Sequence, residues 1–282
     1  MVKKIKKVVA PVRVDFGGGT TDIEPFYSRY GGAVLNCAIK KYVVGEIVSV
    51  DKKVGLKYDA NVPTSSGLGT SGAMTLVWLA LITKEKDKRK LCEWVWNVSQ
   101  ARELFADGKQ DQYAAAFGGI NFFEFDKKGR VKIERLNLRK DVIRRLEEGL
   151  VLVYSGKSHY SGDSNGAAIE GLRKGTNVAS LLELKKIAYR MKKALLIGDL
   201  DMFAELMNLE TLNRKMLAKG IVGGRLQKMI DLGMKSGAIG AKVCGSGGGG
   251  SVLFYGDGKK LRKKFGSRVI DFKFDFGGLK WL

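Results

Sequence analysis

The chain has 282 residues, 45% of them hydrophobic and 28% charged, and a formal net charge of +21. Such a length suits roughly two domain-sized units, and so apolar a composition excludes a disordered chain. No apolar run approaches the ~20 residues of a membrane helix, and Val8-Val9-Ala10 stops at Pro11, too short for a signal-peptide core, so a cytoplasmic location is expected.

In chain order, Lys6–Phe16 reads as a strand. Ala33–Val50, rich in β-branched residues, reads as one or two more, with Lys53–Tyr58 as a pairing partner. Gly72–Ile82 is apolar on every side, which predicts a helix buried at the domain centre. Leu91–Phe105 repeats its apolar residues at helical spacing. Asn121–Phe125 and Val131–Leu136 form a hairpin pattern, and Leu150–Tyr154 a strand. After Asn165 the character changes: Leu181–Gly198, Asp199–Leu217 and Gly223–Lys235 read as three helices. Strands follow at Ala238–Val243 and Ser251–Tyr255, then a helix at Lys259–Phe265 and a last strand at Arg268–Phe274. The expected organisation is an α/β unit over 1–160 and a helix-plus-small-sheet, α+β unit over 161–282.

There are 37 glycines against three prolines, nearly double the average glycine share of about 7%. The excess gathers at Gly17-Gly18-Gly19, in Gly67-Leu-Gly-Thr-Ser-Gly72 and in Gly245-Ser-Gly-Gly-Gly-Gly250. Glycine permits positive φ and close approach of backbone to a ligand, so three such loops suggest one site assembled from distant segments. The central loop runs straight into a helix, whose free N–H groups and dipole favour an anion.

Cys37, Cys92 and Cys244 are far apart, no Cys-x-x-Cys occurs and His159 is the sole histidine, which argues against a disulfide framework or a zinc site. The lysines are dense at 84–90 and 259–264 but not interleaved with stacking aromatics, so a solvated basic surface is expected rather than a dedicated nucleic-acid site. Gly67, Gly69 and Gly72 satisfy G-x-G-x-x-G, but Pro63-Thr-Ser-Ser66 stands where a dinucleotide fold needs a strand. No lysine follows Gly72, which excludes a Walker A loop. Asp-Phe-Gly at Asp15 and Asp275 lacks the companion protein-kinase motifs.

Ala10-Pro-Val-Arg-Val-Asp-Phe-Gly-Gly-Gly-Thr-Thr-Asp-Ile23 resembles the first motif of the GHMP kinases. Val62-Pro-Thr-Ser-Ser-Gly-Leu-Gly-Thr-Ser-Gly-Ala73 resembles their phosphate-binding second motif, and Gly240-Ala-Lys-Val-Cys-Gly-Ser-Gly-Gly-Gly-Gly-Ser251 their third. The resemblance covers nearly the whole chain. Tyr30-Gly-Gly-Ala-Val-Leu-Asn36 and Gly108-Lys-Gln-Asp-Gln-Tyr-Ala-Ala-Ala-Phe-Gly-Gly119 are similar to the heptose 7-phosphate kinase and sugar-kinase branch.

The resemblance implies a two-domain fold and transfer of the ATP γ-phosphoryl group to a hydroxyl of a sugar or sugar phosphate, with Mg²⁺. It implies that Pro63, Ser65, Ser66, Gly67, Leu68, Gly69, Thr70, Ser71 and Gly72 hold the nucleotide phosphates, with Ser71 also a Mg²⁺ ligand. Asp111 then matches the catalytic aspartate and Arg13 the cation beside the transferred group. Gly18, Gly19, Thr21, Asp22, Lys157, Gly247 and Gly248 are the implied acceptor contacts, with His159 beside Lys157. The family's Mg²⁺-binding glutamate falls on Ala101, because the segment before Asp111 is about two residues short. Glu103 is the nearest acid, about 200° further round a helix. Alternatives are a kinase for an unphosphorylated sugar, polyol or small acid and, outside the family, a nicotinamide oxidoreductase or a basic nucleic-acid-binding protein. The sequence leaves the oligomeric state open.

Overall fold

The structure, a computed structural model, describes residues 4–50, 53–63, 65–101, 107–156 and 161–282. Its first half runs β1 (Lys4–Gly17), α1 (Glu24–Tyr30), β2 (Gly32–Val50), β3 (Lys53–Ala60), α2 (Thr70–Thr83), α3 (Lys88–Ala101), α4 (Gln110–Phe117), β4 (Ile120–Phe125), β5 (Val131–Arg135) and α5 (Lys140–Gly149). Then come β6 (Leu150–Tyr154), α6 (Ser161–Arg173), α7 (Val178–Ile197), α8 (Leu200–Lys215), α9 (Gly224–Lys235), β7 (Ala238–Val243), β8 (Ser251–Gly256), α10 (Gly258–Phe265), β9 (Val269–Ile270) and β10 (Lys280–Trp281).

The 19-residue β2 is the spine of the first sheet, ordered β10-β1-β2-β4-β5 with β3 also on β2. It is antiparallel to β1 along its length, while its other edge takes β4 over Gly32–Cys37 and β3 over Val43–Val50. The β1–β2 register shifts at Pro11/Val12, where proline lacks a ladder N–H, and again before Gly17.

The second sheet is β7-β8-β6-β9. Its edge strand β7 is served by side chains instead of another strand. Asn208 of α8 accepts from Ala241 N and donates to Ile239 O, each at 2.9 Å, and Thr211 donates to Ala241 O at 2.9 Å. This satisfies part of the exposed ladder and covers the edge.

The expected division after residue 160 does not follow the sheets. The apolar strand β6 is buried between β8 and β9 in the second sheet, and the chain end returns to lay β10 on β1. One core joins Val14, Phe16 and Leu35 of the first sheet to Ile187, Met191, Phe203 and Met207 of α7 and α8. A second core fills the space between the small sheet and α6, α9 and α10.

Two other expectations change. The apolar helix α2 buries Ala73, Leu76, Val77, Ala80 and Leu81 but leaves Met74, Trp78 and Ile82 exposed, so it lines a wall of the domain rather than its centre. The expected last strand is only Val269–Ile270, followed by an isolated bridge at Phe274.

Candidate active site

A cleft of about 610 Å³ gathers all three glycine clusters. Gly19 and Asp22 come from the first, Ser65–Gly72 from the second and Gly245–Gly247 with Gly249 and Gly250 from the third; Arg13 and Asp111 also line it. The second and third clusters meet backbone to backbone. A Cβ on Gly67 would lie 2.7 Å from Cys244 O, and one on Gly250 would lie 2.9 Å from Ser66 O. Glycine at these two positions is the condition for the loops to pack.

Helix α2 starts without a side-chain cap. Its N-cap is Gly69 at φ 70°, ψ 24°, the left-handed region, and no side chain accepts from the first turn. The N–H groups of Thr70, Ser71 and Gly72 therefore open onto the cleft at the positive end of the helix dipole. The Ser66 and Thr70 hydroxyls are buried without a hydrogen-bond partner among the described residues. Such atoms have a cost unless a ligand or water completes them, and both stand in the loop where an anion would sit.

Across from this helix end lies an ion pair. Arg13 Nε and Nη2 both contact Asp111 Oδ1, at 2.8 and 2.7 Å, and Nη1 donates to Gly67 O at 2.6 Å. Asp111 Oδ2 takes no protein donor among the described residues. The pair is pressed against the loop: Cβ atoms on Gly69 and Gly72 would lie 3.0 Å from Asp111 Cγ and 2.7 Å from Asp111 Cβ. Burial works against the Arg13 charge, but Asp111 and Asp15 outweigh it and its pKa is raised.

Asp22 is 1% exposed and caps α4 from outside, its Oδ2 accepting from Gln110 N at 3.0 Å. Burial, with the Asp111 charge adding, pushes its carboxyl up to about 6. Asp107, in the segment just before α4, lines the same cleft and is likewise pushed up to about 6, by burial and then by Asp111 and Asp22.

Several expected contacts sit elsewhere. Thr21 is fully buried: its hydroxyl bonds the carbonyls of Gly18 and Ala33 at 2.7 and 2.9 Å, so it shapes the turn and does not reach the cleft. Gly18 is packed against the Ala33 carbonyl at φ 84°, a backbone role. Gly248 turns away to donate to Ile221 O at 2.7 Å, and Pro63 lies outside the lining, where Val62 takes its place. Glu103, Lys157 and His159 lie outside the described residues.

Sequence reasoning did not single out Thr20, Gln110, Asp107, Asn165, Tyr58 or Ser246, all in the lining. Asp107 carried a signal, an acid four residues before Asp111 in the short segment that leads into α4. Thr20 carried one too, between two residues already singled out. Asp15 is no protein-kinase motif; it is buried and ion-paired to Lys242 at 2.7 Å.

The GHMP kinases N-terminal domain family matches residues 33–119 and the GHMP kinases C-terminal family residues 191–271. The chain belongs to the GHMP kinases. It is an ATP-using phosphotransferase with a hydroxyl as acceptor. A D-glycero-alpha-D-manno-heptose 7-phosphate kinase of Campylobacter jejuni is 27% identical over 98% of this chain and 98% of its own. A mevalonate kinase of Pyrococcus abyssi is 23% identical over 83% of this chain and 70% of its own. In fold, a crystal structure of a D-glycero-D-manno-heptose 1-phosphate kinase from Bacteroides thetaiotaomicron matches with a TM-score of 0.76 at 21% identity, covering 99% of each chain.

Proposed function

We propose that the chain phosphorylates a hydroxyl of a heptose phosphate, heptose 7-phosphate by preference, with MgATP as donor. The observation that carries the reading is the uncapped start of α2 facing the Arg13–Asp111 pair across one cleft. The N–H groups of Thr70–Gly72 and the unpartnered hydroxyls of Ser66 and Thr70 suit the β- and γ-phosphates. With Arg13 occupying Asp111 Oδ1, Oδ2 is left to accept the acceptor's hydroxyl hydrogen and orient its oxygen for in-line attack. As the new O–P bond forms and the bond from the γ-phosphorus to the β,γ-bridging oxygen breaks, ADP departs and the hydroxyl proton passes to that carboxylate oxygen. The Arg13 guanidinium then stabilises charge gathering on the transferred phosphoryl group.

No cluster of three acidic, histidine or cysteine ligands exists among the described residues. Mg²⁺ needs few protein ligands and keeps waters and nucleotide oxygens, so the Ser71 hydroxyl at the cleft suits it. When bound, the ion would neutralise phosphate charge. Asp107 is a further carboxylate of the lining.

Arg13 is the one cation among the described lining residues, and Asp111 engages it. A phosphorylated acceptor therefore needs another positive group, and Lys157 is the candidate. Release of ADP should be measured with heptose 7-phosphate, heptose 1-phosphate, free heptose, galactose, glucuronate and mevalonate. Lys157→Ala should raise the KM for the phosphorylated acceptor by about 10- to 100-fold, the worth of a charge-assisted hydrogen bond, with kcat and nucleotide affinity unchanged. Preference for an unphosphorylated acceptor would leave only the broader sugar-kinase assignment.

A further inference from the structure

Beneath the cleft lie four charged side chains that the chemistry above does not use. Asp15 on β1, Glu210 and Arg214 on α8, and Lys242 on β7 are each at most 1% exposed. They form a closed set of two cations and two anions. Lys242 Nζ is 2.7 Å from Asp15 Oδ2 and 3.5 Å from Glu210 Oε1, Arg214 Nη2 is 2.6 Å from Glu210 Oε1, and Arg214 Nη2 approaches Asp15 Oδ2 at 4.0 Å.

Lys242 Nζ also donates to Val243 O of its own strand at 2.8 Å, and Arg214 turns its remaining donors to the two loops on the acceptor side. Arg214 donates from Nη2 to Gly19 O at 3.2 Å and from Nη1 to Gly245 O at 3.0 Å. Asp15 Oδ1 accepts from Gly245 N at 3.0 Å. Both faces of the Gly245 peptide region are thus held, one by Arg214 and one by Asp15. The two clusters are more than two hundred positions apart in sequence, and Arg214 is the side chain that bonds both.

Between the held carbonyl of Gly19 and the buried Thr21 stands Thr20. Its φ is 77°, in the left-handed region that a β-branched residue rarely adopts. Its hydroxyl accepts from Arg214 Nη1 at 3.4 Å, and it lines the cleft. Such backbone persists only where its surroundings over-determine it. The room at Gly19 is equally fixed: a Cβ there would lie 2.9 Å from Asp15 Oδ2, 3.1 Å from Arg214 Nη2 and 3.3 Å from Gln110 Nε2.

We infer that Asp15, Glu210, Arg214 and Lys242 are positioning residues for the acceptor: through Arg214 they hold the Gly19–Thr20 turn against the Gly245 loop and so set the shape of the acceptor pocket, without touching the substrate. The inference rests on the reading of these two loops as the acceptor side. The network stays charged, because Asp15 is held below the usual carboxylate range: burial opposes this, but Lys242, Arg13 and Arg214 outweigh it.

The test is the double variant Glu210→Met, Arg214→Met. It removes one charge of each sign, keeps the Asp15–Lys242 pair and preserves buried volume, a replacement that proteins often accept without loss of stability. The expected result is a folded protein with parental ADP affinity, and an acceptor KM raised roughly 10- to 100-fold, the scale on which small misplacements act. A folded double variant with parental acceptor KM and kcat overturns the inference. Should the double variant fail to fold, Thr20→Gly decides. Glycine removes the left-handed strain and frees the turn, so acceptor KM should rise while melting temperature does not fall and ADP affinity holds. Unchanged acceptor KM in Thr20→Gly equally overturns it. Failure of the kinase reading looks different: the parent itself would then bind no ADP and release none with any acceptor.

Discussion

At the end of the cleft formed by residues 65–72, the chain presents an uncapped helix start and two buried hydroxyls with no partner among the described residues. At the end formed by Gly19, Thr20 and Gly245, the backbone is already engaged by buried Arg214 and Asp15. One end is left unsatisfied for a ligand to complete; the other is satisfied in advance so that its shape is fixed. The contrast matches the chemistry of the two partners. A polyphosphate is recognised by generic N–H donors at a helix dipole, whereas a polyhydroxylated acceptor has to be set in one orientation. Asp111 and Arg13 stand where the two ends meet.

The largest effect should come from that junction. Asp111→Asn keeps the size of the side chain but removes the negative charge and the proton acceptor. Turnover should fall by about 10²–10⁴, the range of a positioned acid–base group, with ADP affinity close to parental by titration calorimetry. Near-normal turnover would remove Asp111 from the mechanism and leave Arg13 as the principal group of the junction.

Next comes the open end itself. Gly69→Val puts a β-branched residue at φ 70° and a Cβ 3.0 Å from Asp111 Cγ. The backbone alone should cost about 1–3 kcal/mol, read as a lower urea midpoint, and nucleotide binding should be lost by calorimetry. A folded Gly69→Val that binds ATP like the parent would make the loop a mere lead-in to α2. A milder probe is Ser71→Ala, which deletes one hydroxyl at an exposed position. The Mg²⁺ concentration for half-maximal rate should rise about tenfold, as when a supporting group of a metal site is removed, while the melting temperature stays put. An unchanged Mg²⁺ requirement would move the ion toward Asp107.

This difference between the two ends also explains what could be read from the sequence. The open end is local: glycines, small hydroxyl residues and a following apolar helix lie within a dozen positions, and the strand β1 that delivers Arg13 is continuous. The braced end is not local. Nothing near Lys242 announces Asp15 or Glu210 as its partners, since these pairs exist only once β1, α8 and β7 are packed. The motif marks Thr21 as an acceptor contact, but its hydroxyl is turned inward to the Gly18 and Ala33 carbonyls. The hairpin β4–β5 and helices α7 to α9 followed from their periodicity. Helix α5 did not stand out from its charged residues, although Val142 and Leu146 are its buried face. The β6 strand was legible as a strand, but its membership of the second sheet depends on β8 and β9, about a hundred residues later.

The smallest effect separates stability from function at Asp22. Its carboxyl is pushed up to about 6 in the folded protein, above the ordinary aspartate range, because burial penalises the ionised form and Asp111 repels it. The sign follows from linkage. Between pH 4 and 6 the folded protein binds more protons than the unfolded chain, so this group's contribution becomes less favourable as pH rises through that window and is constant above it. Asp22→Asn removes the ionisation and can keep an oxygen for the Gln110 N–H. It should therefore stabilise the protein at pH 7.5 by about 1–3 kcal/mol, measured by urea unfolding, with the gain gone near pH 4. Asp107, raised for the same reasons, leaves the variant a residual slope in that range. Acceptor KM should nevertheless worsen, since Asp22 anchors the start of α4 beside Asp111. A gain of equal size at both pH values would mean that ionisation of Asp22 carries no penalty. A loss at pH 7.5 would mean that the Gln110 N–H holds the carboxylate more firmly than burial disfavours it, placing Asp22 with the pre-satisfied groups of the braced end.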